Sequence, residues 1–226
     1  MEGSREALRI GFCDSVAAKY ACKHWHYSGA IPGTGAVVRF GVWEDDAFIG
    51  AVLYTKGAGS TTYRALNYGL ERVEACELAR VALRSHRAPV TQILSKTLKQ
   101  LQVVNPGLRL VISYADPRYG HVGTVYQAGN WIYVGLSGAT LEYWLGGKWV
   151  HERSVYSSQR QAFQNNEAEK WDEWLKTLTK RYQPPKHIYL WPFDRQVRRA
   201  ITKDALPYPS AEQVSEARRH PSGVEG

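Results

Sequence analysis

Residues 22–29 read CKHWHYSG, so two histidines, a tryptophan and a tyrosine crowd together beside a loop rich in glycine and proline. Flat rings with polar tips can wall a planar ligand, and an imidazole, with an ordinary pKa of about 6.5, can move a proton near neutrality. Cys22, His24 and His26 alternate along the stretch, and with Asp116 they offer donor types that suit a first-row transition metal. In a helix such alternating side chains fan around the axis, so no ligand set is assigned. The competing reading is a helix end whose rings merely pack. The segment alone leaves both open.

Two charged residues raise a related question. Arg80 lies inside CELARVAL, where Leu78 and Ala82 share its strand face and are apolar, so its guanidinium needs an anion nearby. Asp116 closes the run LVISYAD. In an open α/β sheet, ligands bind beyond the carboxyl ends of the parallel strands, which makes both candidate site residues. A structural ion pair between the two is the alternative.

These side chains must be positioned by regular elements, and the sequence supplies them. After a short strand near LRIGF, Asp14 and Ser15 can cap a helix over VAAKYACKH, which the aromatic segment ends. AVVRFGVWE and AFIGAVLYTKG are apolar and β-rich and turn through Asp45 and Asp46, an antiparallel hairpin. VEACELARVAL is a further strand. PVTQILSKTLKQLQVV repeats Val90, Ile93, Leu94, Leu98 and Leu101 at helical spacing, with Pro89 at its start. LRLVISYAD then reads as a buried strand, HVGTVYQAG as a short helix closed by Gly129, and WIYVG as the next strand. This β-α-β-α-β run makes the strands flanking its first helix parallel neighbours. LEYWLGGKWVHERSV reads as a hairpin turning at Gly146 and Gly147, and EAEKWDEWLKTLTKRY as an amphipathic helix. The expected class is α/β (α+β), a mixed central sheet flanked by helices.

Composition bounds the rest. With 226 residues and 44% hydrophobic side chains the chain can build a proper core. No apolar run is long enough for a membrane span, and MEGSREALRI carries charges where a signal peptide needs an apolar segment. No membrane partner and a cytoplasmic location are expected. Cys13, Cys22 and Cys76 form no CxxC pair, so neither a disulfide framework nor a zinc ribbon is indicated. The formal charge of +8 favours a polyanionic partner. Much of it sits between Lys176 and Lys203, where Asp194 is the sole acid and Tyr182, His187, Tyr189, Trp191 and Phe193 are interleaved. Cations mixed with flat rings suit phosphate neutralisation and base stacking. Lys180, Arg181, Lys186, Arg195, Arg198 and Arg199 are the candidate nucleic-acid contacts. The expected division is a catalytic unit over residues 1–160 and a C-terminal helix with a basic aromatic extension over 161–226, ending in a flexible RHPSGVEG.

The order ELARVAL, helix, strand and TVYQAGNWIYVG resembles the central half of the GNAT acyltransferase superfamily. The resemblance implies a mixed GNAT-like sheet and makes Tyr126 the general acid that protonates a leaving group. More specifically, HWHYSG, FGVWEDDAFIGAVLY, CELARVALRSHRAPVTQIL, VISYADPRYGHVGTVYQAGNWIYVG and HERS, in that order, are similar to the Mom family of phage DNA-modification proteins. That resemblance implies conversion of adenine N6 in DNA to N6-carbamoylmethyladenine, which shields phage DNA from host restriction. It implies His26, Tyr27, Arg80, Asp116 and Tyr126 as functional residues, with Ser113 a weaker candidate, and carries iron as a candidate metal. Trp25 and Tyr27 would wall an unstacked base, and His26 would accept the proton of the attacking amine.

One segment departs from the GNAT pattern. Where those enzymes have a glycine-rich loop for the coenzyme A pyrophosphate, this chain has RSHRAPV, with no glycine and with Pro89 lacking an N–H. Arg84, His86 and Arg87 remain as side-chain candidates for holding a donor phosphate. The expected product needs a nitrogen that acetyl-coenzyme A cannot supply, so glycyl-tRNA is the favoured acyl donor, which makes tRNA a partner besides DNA. The alternatives are a generic GNAT N-acetyltransferase acting on a protein or small amine, and a noncatalytic nucleic-acid-binding protein.

Overall fold

A hairpin begins the sheet. Strand β2 (Ala36–Glu44) returns as β3 (Ala47–Thr55), and the turn between them places Asp45 and Asp46 at φ 46° and 66°, the left-handed pair that matches the twist of a two-residue hairpin. The computed structural model describes residues 8–33, 36–159, 168–210 and 212. Within them β1 (Arg9–Phe12), β4 (Ala75–Leu83), β5 (Leu110–Ala115), β6 (Ile132–Leu136) and β10 (His187–Pro192) complete a seven-stranded sheet in the order β1-β2-β3-β4-β5-β10-β6. Only β4 and β5 run parallel, with Leu78 beside Ser113; the other pairs are antiparallel.

Helices cover both faces. Helix α1 (Ser15–Trp25) starts where the Asp14 carboxylate accepts the Ala17 N–H at 2.7 Å and ends as His26 turns extended. Its Ala18, Ala21 and Cys22 pack on Ala51, Leu53 and Ala82. Helix α2 (Gly59–Asn67) and α7 (Arg195–Thr202) share a second cluster with β5 and β10. On the opposite face α3 (Val90–Val104) buries Ile93, Leu94, Leu98 and Leu101, and the short α4 (Thr124–Ala128) follows β5. Gly123, at φ +86°, precedes α4, and a Cβ there would fall 2.1 Å from the Tyr189 ring. Only glycine lets α4 settle against β10.

A three-stranded sheet, β8-β7-β9, is built from β7 (Thr140–Leu145), β8 (Lys148–His151) and β9 (Lys180–Gln183). Gly146 and Gly147, both at positive φ, make the expected turn. Helix α5 (Glu152–Gln159) and α6 (Ala168–Thr177) supply the apolar cover, with Tyr143, Val155, Trp171 and Leu175 in contact.

Three sequence readings change. Beyond His151, ERSV does not extend the hairpin, because α5 begins at Glu152. The amphipathic helix stops at Thr177, and KRYQ pairs with β7 as a strand. HIYLWP, grouped by its flanking charges with a C-terminal extension, lies in the sheet between β5 and β6, with Ile188, Tyr189 and Leu190 fully buried. A strand covered on both faces reads as an unbroken apolar run, and the surrounding basic residues disguise it. The boundary expected at residue 160 and the RHPSGVEG end lie outside the described residues. Among the described residues no helix is long and apolar enough to cross a membrane.

Candidate active site

The carboxyl ends of β4 and β5, the end of α1 and the loop leading into α4 enclose a pocket of about 500 Å³. Trp25, His26, Tyr27, Arg80, Asp116 and Tyr126 all line it. Ser113 stands immediately behind, fully buried, with its hydroxyl 2.7 Å from the Tyr126 oxygen and 3.1 Å from the Leu78 carbonyl. The sequence thus scattered over 100 residues what the sheet gathers at one edge.

Arg80 and Asp116 share the pocket without pairing. Arg80 donates from Nε to the Ala30 carbonyl at 3.1 Å and from Nη1 to the Ala79 carbonyl at 2.6 Å, and among the described residues no carboxylate forms an ion pair with it. The bond to Ala30 ties down the loop that carries His26 and Tyr27. A guanidinium beside a pocket with only neutral partners is suited to an incoming anion or a developing oxyanion. Asp116 instead receives Arg118, with Nη2 at 2.7 Å and Nε at 3.0 Å, and Lys186 Nζ at 3.2 Å. Burial would raise the Asp116 pKa, but the Arg118 hydrogen bonds and the Lys186 charge outweigh it and hold the carboxyl below its ordinary value.

Rings form a ladder at the mouth. His26 and Tyr27 lie 4.1 Å apart between centroids, Tyr27 and Tyr119 another 4.1 Å, and His121 sits 5.2 Å from Tyr27. Tyr27 and Tyr119 are 45% and 47% exposed; His26 and Tyr119 cover the faces of Tyr27, so a planar guest at the entrance would meet the end of the ladder. Trp25 lines the pocket but also packs on Tyr20 and Phe48, so the outer wall is Tyr27 with Tyr119. Burial pushes the Tyr27 hydroxyl up to about 12, with Asp116 adding to the effect and Arg80 opposing it. Burial likewise raises Tyr126, against which the Ser113 hydrogen bond acts, so both phenols keep their protons at neutral pH.

Iron does not fit the alternating residues. Cys22 is fully buried in the α1 core, and His24 is exposed and stacks on Tyr20. His26 Nδ1 accepts the Ser28 N–H at 3.1 Å. Among the described residues no group of three His, Cys, Asp or Glu side chains converges on a metal position.

Two of the three residues expected to hold a donor phosphate, His86 and Arg87, are engaged elsewhere. The Glu44 carboxylate accepts the backbone N–H of Arg87 at 3.1 Å and of Ala88 at 2.6 Å, just ahead of α3. Arg87 pairs with Asp45 through its side chain, and His86 Nδ1 is 2.8 Å from the Ala88 carbonyl. The hydrogen bond from Ala88, assisted by that from Arg87, lowers the Glu44 pKa despite burial. Arg84 is exposed. An internal carboxylate therefore occupies two amides of the loop just ahead of the Pro89 cap of α3.

The nucleic-acid candidates divide. Lys186 belongs to the pocket through Asp116, and Arg181 makes a two-pronged contact with Glu142 while lying over Trp149. Arg195, Arg198 and Arg199 are exposed on α7, opposite its buried Val197 and Ile201, and Lys180 is exposed at the start of β9. Sequence reading missed Glu44, Arg118, Tyr119 and His121. The signal for the last three was present in DPRYGH, where a turn follows a strand carrying a site residue.

Comparison with known proteins follows the same residues. The sequence model of the Mom protein family matches residues 7–210. The chain is also 27% identical over 160 residues to "Methylcarbamoylase mom" of Escherichia phage Mu. That match covers 70% of this chain and 65% of the phage protein, so the chain spans just under two thirds of the relative's length.

Proposed function

The chain belongs to the Mom protein family, and from that premise we propose that it is a phage DNA-modification enzyme acting on adenine N6. The reading is that of a GNAT-like acyltransferase whose end product is N6-carbamoylmethyladenine, protecting DNA against restriction. The observation that carries it is the meeting, in one pocket, of Arg80, which has no carboxylate partner among the described residues, Tyr126 backed by Ser113, and Tyr27, whose ring is continued outside the pocket by Tyr119.

Each part has a task in that reaction. An adenine must leave the helix before its N6 can be reached, and the ring stack replaces the stacking it gives up. Arg80 steadies negative charge on the acyl oxygen as N6 attacks. Tyr126 protonates the departing oxygen or sulfur. Asp116, neutralised by Arg118 and Lys186, fixes the turn that carries Tyr119 and His121.

For the donor we favour an activated glycyl ester such as glycyl-tRNA. Glu44 on the Arg87 and Ala88 amides opposes a coenzyme A pyrophosphate there by charge and by occupancy. Glycyl transfer also balances the product. N6-glycyladenine carries a free amine that can close on C6 through a five-membered ring. Breaking the original C6–N6 bond then leaves N6-carbamoylmethyladenine, an isomer with no atom added. The test is purified protein with DNA and either tRNA charged with nitrogen-labelled glycine or labelled acetyl-coenzyme A, followed by nucleoside mass analysis. Glycine nitrogen in the modified base is expected. Modification from acetyl-coenzyme A alone refutes the donor, and no modified adenine from expressing cells refutes the function.

A further inference from the structure

We infer that His121 is the base that takes the proton of the attacking amine, and that His26, held in one tautomer, serves as a hydrogen-bond donor. The inference rests on the acyl-transfer reading above. Its ground is the loop around Ser28. The Ser28 backbone N–H donates to His26 Nδ1 at 3.1 Å, and a backbone N–H can do nothing but donate. Ser28 Oγ lies 2.8 Å from the same nitrogen and 3.2 Å from the Ala30 carbonyl. Whichever of these takes the hydroxyl proton, Nδ1 is an acceptor. A neutral imidazole with a bare Nδ1 carries its proton on Nε2. Burial, with Arg80 and His121 adding to the effect, lowers the His26 pKa to about 4, so the neutral form prevails near neutrality. His26 therefore has no free lone pair for the amine proton.

His121 does. It lines the same pocket, its ring 5.2 Å from that of Tyr27, and among the described residues neither of its ring nitrogens has a hydrogen-bond partner. Its backbone N–H is on the Asp116 carbonyl at 3.3 Å, which anchors it to the turn. The charged and titratable groups facing it are Asp116, His26 and Tyr27. Burial holds its pKa below the ordinary value, and the Asp116 charge opposes that shift. The ring is thus neutral at rest, and the carboxylate stabilises it once protonated.

The proton count closes. The amine lone pair forms the C–N bond to the acyl carbon while the carbonyl π pair moves onto oxygen, toward Arg80 and the His26 Nε2–H. The amine proton passes to His121. The bond to the leaving oxygen then breaks, and that oxygen takes the Tyr126 proton. Imidazolium and phenolate exchange a proton through water before the next turnover.

Full-length protein with nitrogen-labelled histidine, alone, and His121→Asn protein with duplex DNA and glycyl-tRNA provide the test. The His26 nitrogen shifts should report an unprotonated Nδ1 and a protonated Nε2. His121→Asn should modify DNA about 100-fold more slowly in a single turnover, with unchanged DNA affinity and melting temperature, and should lose the acidic limb of the wild-type rate profile. A protonated Nδ1 on His26, or a His121→Asn enzyme that keeps the wild-type rate and acidic limb, overturns the inference while leaving the function standing. A wild-type protein that modifies no adenine overturns both.

Discussion

The Ser113 hydroxyl lies 2.7 Å from the Tyr126 oxygen, and its one proton has a second claimant in the Leu78 carbonyl at 3.1 Å. While Ser113 donates to Leu78, it is free to accept the Tyr126 proton. Once Tyr126 has protonated a leaving group, Ser113 can rotate and donate to the phenolate, a charge-assisted bond stronger than the one it gives up. Ser113→Ala should therefore lower kcat by about 10- to 100-fold and leave the KM for DNA unchanged. Steady-state kinetics decide the matter, and a change confined to KM would count against the relay.

Arg80 and Arg118 should fail differently. Arg80→Ala breaks no ion pair among the described residues, so adenine modification should vanish while the melting temperature falls only slightly, through the lost bonds to Ala30 and Ala79. Arg118→Ala leaves the buried Asp116 with Lys186 and the backbone N–H of residue 118 and should cost about 1–3 kcal/mol of stability. Thermal unfolding of the two variants beside an activity assay separates the roles.

His26 links stability to acidity. Its pKa is lowered to about 4 in the folded chain, against about 6.5 unfolded. Between those values the unfolded chain binds more protons, so stability rises with pH there. The contribution is complete above about pH 6.5 and is lost as pH falls toward 4. Partial solvation of the ring limits it to about 1–2 kcal/mol. His26→Gln should flatten the slope of denaturant midpoint against pH across that window, and an unchanged slope would assign the acid sensitivity to other groups.

Arg195, Arg198 and Arg199 project from α7 away from its packed face. Replacing all three by alanine should leave the fold intact and weaken DNA or tRNA binding, with the slope of log K against log salt reduced by about 2–3 units. Titrations at two or three salt concentrations suffice. Deleting everything from Gln183 onward cannot replace this experiment, because it removes β10 from the sheet.

Much of this was legible in the residues. Apolar, β-rich runs joined through Asp45 and Asp46 gave the β2–β3 hairpin, the Val90–Leu101 repeat gave α3, and the parallel β4–β5 pair followed from the helix between them. Arg80 and Asp116 stood out because each interrupts an apolar strand at the edge where ligands bind. Their partners did not. Arg118 and Lys186 reach Asp116 from a turn and from a segment 70 residues later, and no local pattern encodes a long-range pairing. Glu44 gave no local signal, since its amide partners lie more than 40 residues on. The role of His26 turned on a single backbone N–H, which no side-chain motif records.

The place of β10 also governs when the sheet can close during synthesis. Chains emerge from the ribosome in order, at roughly 5–20 residues per second, and β5 and β6 are made long before residues 187–192. Until those residues arrive, β5 and β6 each hold out an open hydrogen-bonding edge, and Asp116 lacks Lys186. The nascent chain is then adhesive. Docking of β10 closes both edges and delivers Lys186 to Asp116 in one event, so the sheet and the charge balance of Asp116 are completed together.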